Sequence, residues 1–584
     1  MKNAAFKEPL KAVSKSKLVT FAVIIAVVAA VIYLPVLTAD FVYDDIPQIL
    51  IDNYIHNPAH FAEVLSLSVM RKDVVDNNRP VMLLSLMLDS LLWGRNPVGY
   101  HLTNLLLHAL CSAMVFLLLY GVLSWLFGQS NKNISALWAT FAAAMLFAIH
   151  PVSSEAVCVV TFREDLLAAF FILLTLFLAE QFPAERKMMN ILLGGLIIIS
   201  IFAAAAAKES GAVAPLFLLV YWLIVRGGSQ WRIWTGLIAA GFGATAVFIA
   251  ARFMLIPAKS VIFFQKASYL GGSFSQMLTI QPRIWGFQLL ELIWPKLLCA
   301  DQTGYSIRYI TLSAALVALA VIIVTVVLLF RKNISYSVGV IFYCLAILPT
   351  SNFVPIFRPM ADRYLYLPMV GASLALGAVI CRLKIKKGLL RALSIVAAVI
   401  ICLFFCYFTI EREVVWHDSL SLWQDTVMKN PFSYTGNDNL GFALFDAGEF
   451  EKALSSFTRA SELEPNFAEP IAGLAITYDV MGMSDAADEA FRKAVSLDKR
   501  YASYDSLMQT LLWKPQHAKK LQIIADRVLA KQKTIETTLS ESILYEICPP
   551  ASGFRSSNRA DIRGHRKCCS KLSEKLVSPE IKDM

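Results

Sequence analysis

Two adjacent acids, Asp44 and Asp45, stand in the polar and aromatic stretch FVYDDIPQIL. Such a pair suits general-base work: one carboxylate takes a proton from a hydroxyl while the other positions it or binds a cation. Like charges this close repel, which raises one pKa and favours a base. The plainer alternative is a helix cap or turn, with Pro47 close behind. Asp73, Asp76 and Arg79 share the same inter-helix segment and extend the acidic cluster. A second candidate is NFVPIFRPMADRYLYLP, which carries Arg358, Asp362 and Arg363. A guanidinium fits phosphate oxygens in a bidentate fork and steadies charge on a leaving phosphate, so Arg358 and Arg363 are candidate phosphate ligands. The competing reading is an interfacial aromatic belt with an internal Asp–Arg pair.

A third stretch, HPVSSEAVCVVTFREDLLAAFF, holds His150, Glu155, Arg163, Glu164 and Asp165 between two apolar runs. Ionisable groups at membrane depth are functional candidates by default, and structural pairing of Arg163 with a carboxylate weighs equally. His150 and Glu155 could bind a metal, although their spacing is not diagnostic. Lys208 and Glu209 interrupt AAAAAKESGAVAPLFLL and either pair with each other or line a cavity. His56, His101 and His108 read as packing or interface groups. There is no P-loop, no Gly-rich dinucleotide fingerprint and no serine-hydrolase elbow, which argues against a nucleotide-driven pump.

These residues need elements to hold them. The chain of 584 residues is 57% hydrophobic and 16% charged, with mean hydropathy +0.59. Soluble domains average about 25% charged. The composition predicts an all-α, polytopic membrane helix bundle. Apolar runs fall at about 18–37, 101–127, 135–149, 164–181, 190–207, 211–225, 234–255, 311–330, 335–350, 364–381 and 392–410, about eleven transmembrane helices. The first is long enough to span and reads as an uncleaved helix rather than a signal peptide. The segment 81–93, with Asp89 inside it, reads as an interfacial helix.

With a cytoplasmic N-terminus, the inside segments carry 17 basic residues, from Lys2 to Arg391, against 4 outside: Arg163, Lys208, Arg358 and Arg363. The positive-inside rule then places the Asp44–Asp45 loop, segments 256–310 and 351–363, and everything after about 410 on the non-cytoplasmic side. In that topology the sequons at Asn133 and Asn333 face the cytoplasm and stay unglycosylated. The net charge of +10 lies between apolar runs, where it sets orientation rather than binding nucleic acid. The ten cysteines show neither a zinc pattern nor a disulfide framework.

Beyond 410 two windows repeat at 34 residues: Leu440, Gly441, Leu444, Ala453, Phe457, Ala460 and Pro465, then Leu474, Ala475, Tyr478, Ala487, Phe491 and Ala494. Small residues where helices cross and large ones between them are the tetratricopeptide pattern. Trp423 and Pro431 occupy the matching places of a half-repeat. The expected organisation is a membrane domain at 1–410, repeats at 411–500, and a helical cap with a disordered basic tail at 501–584.

Taken in order, FVYDD, HLTNLLLHAL, HPVSSEAVCVVTFREDLLAAFF, AKESG and MADRYLYLPMVG, followed by tetratricopeptide repeats, resemble the transmembrane and tetratricopeptide-repeat-containing O-mannosyltransferases. These lie within the class C glycosyltransferases, which use polyprenyl-phosphate sugars. The resemblance covers roughly residues 18–500. It implies transfer of a sugar from a lipid phosphate to a serine or threonine of a protein, or to a glycan. By position the loop acids fall on Asp44 and Asp45 and the phosphate-side base on Arg358 or Arg363. A divalent metal ion on Asp44 and Asp45 stays open. The expected partners are the lipid-linked donor, an acceptor, a protein on the repeats and membrane lipids. The expected place is a bacterial inner membrane or an endoplasmic reticulum membrane, with the repeats periplasmic or lumenal. Animal members carry a long array and this chain about two and a half repeats. Two rival classes are a membrane-anchored scaffold, which would need one span, and a transporter or polysaccharide polymerase, for which no internal halves are visible. The catalytic reading predicts that Asp44 and Asp45 face Arg358 or Arg363 across a cavity. Arg79, His150, Glu155, Arg163, Asp165, Lys208, Glu209 and Asp362 are further candidates for its lining.

Overall fold

The computed structural model describes residues 13–127, 133–182, 187–256, 268–302, 312–330, 334–382 and 388–547. The expected tail after 550, the Asn333 sequon, and basic residues such as Lys2, Lys132, Arg186, Lys332 and Lys386 lie outside them. The described residues hold helices and no strands. All eleven apolar runs are helical. Five of these helices are long and apolar enough to cross a membrane: Lys15–Ile32, Pro97–Phe127, Lys187–Ala207, Trp231–Leu255 and Leu389–Val415. A bent pair, Ala136–Ile149 with Pro151–Cys158, makes a sixth, and shorter apolar helices such as Pro368–Arg382 fill the remainder.

The first helix shows why these segments need an apolar solvent. Ala22, Ile25 and Ala29 are buried against the bundle, while Val19, Val23, Val27 and Val31 on the opposite face are 53–62% exposed. A continuous exposed valine stripe is unfavourable in water and at home in lipid. Its start is fixed by Ser14, whose side chain accepts the Lys17 N–H. The 31-residue helix Pro97–Phe127 is the hub, packed by Lys15–Ile32, Asn133–Ile149, Arg163–Glu180 and Pro368–Arg382.

Close approach between helices depends on glycine. A Cβ on Gly339 would meet the Ala375 nitrogen at 2.3 Å, and one on Gly371 the Tyr343 nitrogen at 2.4 Å. Gly286 likewise faces the Ala314 backbone. Between lipid-embedded helices there is no hydrophobic drive to pair, so backbone-to-backbone packing at small residues supplies the attraction.

Two features position the candidate site. The segment between the first helix and Pro80–Trp93 is folded rather than loose. Its Phe41, Ile49, Tyr54, Ile55, Val64 and Met70 are buried in one cluster with Met82, Leu86, Tyr100, Val160 and Phe248. Then the helix ending at Ile149 breaks at His150–Pro151 and restarts with a 44° bend. Proline lacks the N–H to continue the helix, and the His150 ring accepts the Val152 N–H instead. The restarted turn carries Glu155.

The chain divides into two compact units, Met1–Glu464 and Pro465–Met584. The first includes Ser419–Lys429, with Trp423 buried, and the helical hairpin Tyr434–Asp446 and Phe450–Leu463. There a Cβ on Gly441 would enter the Phe457 ring at 2.6 Å, which explains the small residue at the crossing. In the second unit Ala475, Ala487, Phe491 and Ala494 are buried between Ala468–Val480 and Ser484–Leu497. The helix Pro515–Ile547 packs on both, tied by Arg527 to Asp479 and Asp488.

Candidate active site

The sequence Tyr43–Asp44–Asp45 turns sharply because Tyr43 adopts a left-handed backbone, φ 57°. A bulky residue rarely accepts this conformation, and its surroundings must hold it there. The Tyr43 ring is gripped edge-on by Phe162 and Trp423, with centroids at 5.5 and 5.1 Å. The turn sends the two acids to different environments.

Asp45 is completely buried, and its two oxygens accept the N–H groups of Val160 (3.1 Å) and Thr161 (2.7 Å). Burial pushes its carboxyl up to about 7, against the pull of those N–H groups. Asp45 thus clamps the loop to the stretch before helix Arg163–Glu180. Asp44 is exposed, and its side chain makes no ion pair or hydrogen bond among the described residues. Even so, protein surrounds it closely enough that desolvation raises its pKa, opposed first by Arg358 and then by Arg363. An accessible carboxylate that is nonetheless desolvated has protein packed around its base while its oxygens stay open.

Around Asp44 the charges alternate. Arg79 pairs with Asp76 (2.7 Å), Glu164 and Glu209 (3.2 Å). Lys208 bridges Glu164 (3.0 Å) and Asp165 (2.5 Å) on helix Arg163–Glu180 rather than pairing with its neighbour Glu209. Glu209 takes Arg252 instead, at 3.0 Å. Arg363 is bound to Glu155 through both its side chain and its backbone N–H, and approaches Asp165 at 3.8 Å. Its guanidinium lies 3.8 Å over the Phe162 ring.

The two arginines differ. Arg363 is held by a direct ion pair to Glu155. Arg358 has one carboxylate within ion-pair distance among the described residues, Asp301 at 3.7 Å, and lies 4.9 Å over the Tyr43 ring, with its side chain 18% exposed. Weakly held and next to Asp44, it is the guanidinium best placed to take an incoming anion. Asp301 is itself fixed by the Ser433 hydroxyl (2.5 Å) and Asn430 (2.9 Å to its carbonyl), residues at the start of the repeats.

Of the candidates read from sequence, the structure gathers Asp44, Arg79, Glu155, Asp165, Lys208, Glu209, Arg358 and Arg363 into one region. Three lie elsewhere. His150 has both ring nitrogens occupied, by Val152 N–H and the Leu292 carbonyl, and packs on Phe405. Arg163 is sealed against Asp89 (2.5 Å), Asn104 (2.6 Å) and the Tyr100 carbonyl (2.8 Å). Asp362 turns from its neighbour Arg363 to Gln302 (2.5 Å) and Arg412 (3.9 Å). Sequence reasoning named Glu164 only among the ionisable groups at membrane depth, and did not assign Arg252, Asp301, Phe162 or Tyr43 to the site. Glu164 and Tyr43 sit inside motifs already singled out. Arg252 and Asp301 carried no local signal.

Among the described residues no group of three or more His, Cys, Asp or Glu side chains is arranged to hold a metal ion. With both Asp45 oxygens accepting backbone N–H groups, the acid pair does not fit as a metal site.

A tetratricopeptide-repeat family model matches residues 469–501. Over most of its length the chain is similar to a protein O-mannosyl-transferase of Caenorhabditis elegans, 27% identical over 453 residues, 75% of this chain and 62% of the relative. Protein O-mannosyl-transferase Tmtc3 of Drosophila melanogaster is 24% identical over 494 residues, covering 73% and 53%. Protein O-mannosyl-transferase TMTC3 of Homo sapiens is 24% identical over 509 residues, covering 79% and 54%. The chain therefore spans between half and two thirds of these relatives. No solved structure matches it.

Proposed function

We propose, from its similarity to protein O-mannosyl-transferases, that the chain is a membrane glycosyltransferase that moves a sugar from a polyprenyl phosphate to a hydroxyl. The transfer takes place on the non-cytoplasmic face. The observation that carries this reading is Asp44: an accessible, unpaired, desolvated carboxylate beside a loosely held arginine.

Asp44 takes the proton of the acceptor hydroxyl. The oxygen forms a bond to the anomeric carbon as that carbon's bond to the phosphate oxygen breaks. The electron pair leaves with the phosphate, which stays on its lipid and is steadied by Arg358. The anomeric configuration inverts, because attack and departure occur on opposite sides. The ester bond of the donor drives the reaction, so no nucleotide is needed. Arg79, Lys208 and Arg363, each neutralised by fixed acids, shape the chamber rather than bind the phosphate. The repeats offer a surface for a protein acceptor or partner.

Purified protein given a radiolabelled polyprenyl-phosphate mannose and a serine- and threonine-containing acceptor is expected to label the acceptor. Asp44→Asn should lower turnover about 10²–10⁴-fold, the range of general-base removal, with its melting temperature unchanged. Normal transfer by the folded variant ends the assignment of Asp44 as base.

A further inference from the structure

Resting on that reading, we infer that the Tyr43 hydroxyl is a second phosphate-binding group, donating to an oxygen of the donor phosphate beside Arg358. Tyr43 is 9% exposed, and its hydroxyl has no hydrogen-bond partner among the described residues. A buried phenol normally finds one, since leaving the bond unmade forfeits the hydration it gave up. The ring cannot swing away to water. Phe162 and Trp423 clamp it edge-on, and its left-handed backbone fixes the turn from which it projects.

The neighbour on the page is a cation: the Arg358 guanidinium lies 4.9 Å over the Tyr43 ring, with its one carboxylate within ion-pair distance among the described residues, Asp301, at 3.7 Å. A guanidinium held this loosely draws an oxyanion to the space beside the phenol. An oxyanion drawn there by Arg358 meets an O–H with nothing else to bond to. Tyr43 also directly precedes Asp44, so the same turn would place the phosphate and the general base on either side of the anomeric carbon. A phenol that only packed would need no hydroxyl, and phenylalanine would serve as well.

The hydroxyl's penalty in the empty protein gives the idea a signature of opposite signs. Tyr43→Phe removes an unsatisfied group, so the donor-free full-length protein in nanodiscs should melt at the same temperature or higher. The same variant should bind a long-chain polyprenyl phosphate about 10-fold more weakly, the loss of one hydrogen bond to a charged group. Binding of the corresponding polyprenol without phosphate should not change. A variant that binds polyprenyl phosphate as tightly as the parent overturns the inference and leaves the transferase reading standing. So does one that melts lower and loses affinity for phosphate and polyprenol alike, since that marks a structural hydroxyl. If the parent itself does not prefer the phosphate to the polyprenol, the transferase reading falls and takes Tyr43 with it.

Discussion

Two groups of charges lie a few residues apart on the same helix start, and they have opposite characters. Arg163 reaches into a closed set formed by Asp89, Asn104 and the Tyr100 carbonyl, where its guanidinium is completely buried. Glu164 and Asp165 turn to the other side, where Lys208, Arg79 and Arg363 meet them and where Asp44 has no ion pair among the described residues. Successive helical residues point about 100° apart, so three ionisable neighbours serve two sites. Charge buried near a membrane therefore does not by itself mark chemistry. What marks it is hydrogen-bonding capacity left over after the protein has satisfied its own groups.

That contrast predicts where damage appears. The largest effect is on the closed set. Arg163→Met leaves Asp89 buried without its partner and should destabilise the protein by about 3–5 kcal/mol, read as a lowered melting temperature and yield. A melt equal to the parent would show that Asp89 and Arg163 are not held as described. On the open side, Arg358→Gln should leave the melt nearly untouched, because among the described residues Arg358 is held by a 3.7 Å contact to Asp301 and the face of the Tyr43 ring and by no closer ion pair. It should instead weaken polyprenyl-phosphate binding by about 1.5–3 kcal/mol, or roughly 10–100-fold. If Arg358→Gln lowers the melt as much as Arg163→Met, the distinction between the two sets fails.

The smallest effect is on pH. Asp44 must be ionised to act, and burial raises its pKa while Arg358 lowers it. Turnover should therefore rise with pH through an acid limb above the ordinary aspartate range. Arg358→Gln removes the lowering charge and should move that limb to still higher pH. A limb that stays fixed, or moves down, would separate Arg358 from the base.

Much of this could be read before any coordinates. Each apolar run is a helix, since hydropathy and length are local properties. The 34-residue spacing placed Gly441 against Phe457 because the crossing of two helices dictates a small residue there. Asp44 and Arg358 stood out by type. The division of labour within pairs was not legible. Nothing local says that Asp45 is consumed by the N–H groups of Val160 and Thr161, over a hundred residues on. Nor could sequence tell that His150 spends both nitrogens on backbone. Eleven spans remains a reading of composition: helix Arg163–Glu180 has apolar sides but begins with three ionisable residues and ends on Glu180.

Ser433 and Asn430 hold Asp301, and Trp423 braces Tyr43, so the half-repeat is masonry in the wall around Asp44. Grafting a foreign array onto this chain would have to keep the residues through Ser433, with the seam placed beyond them.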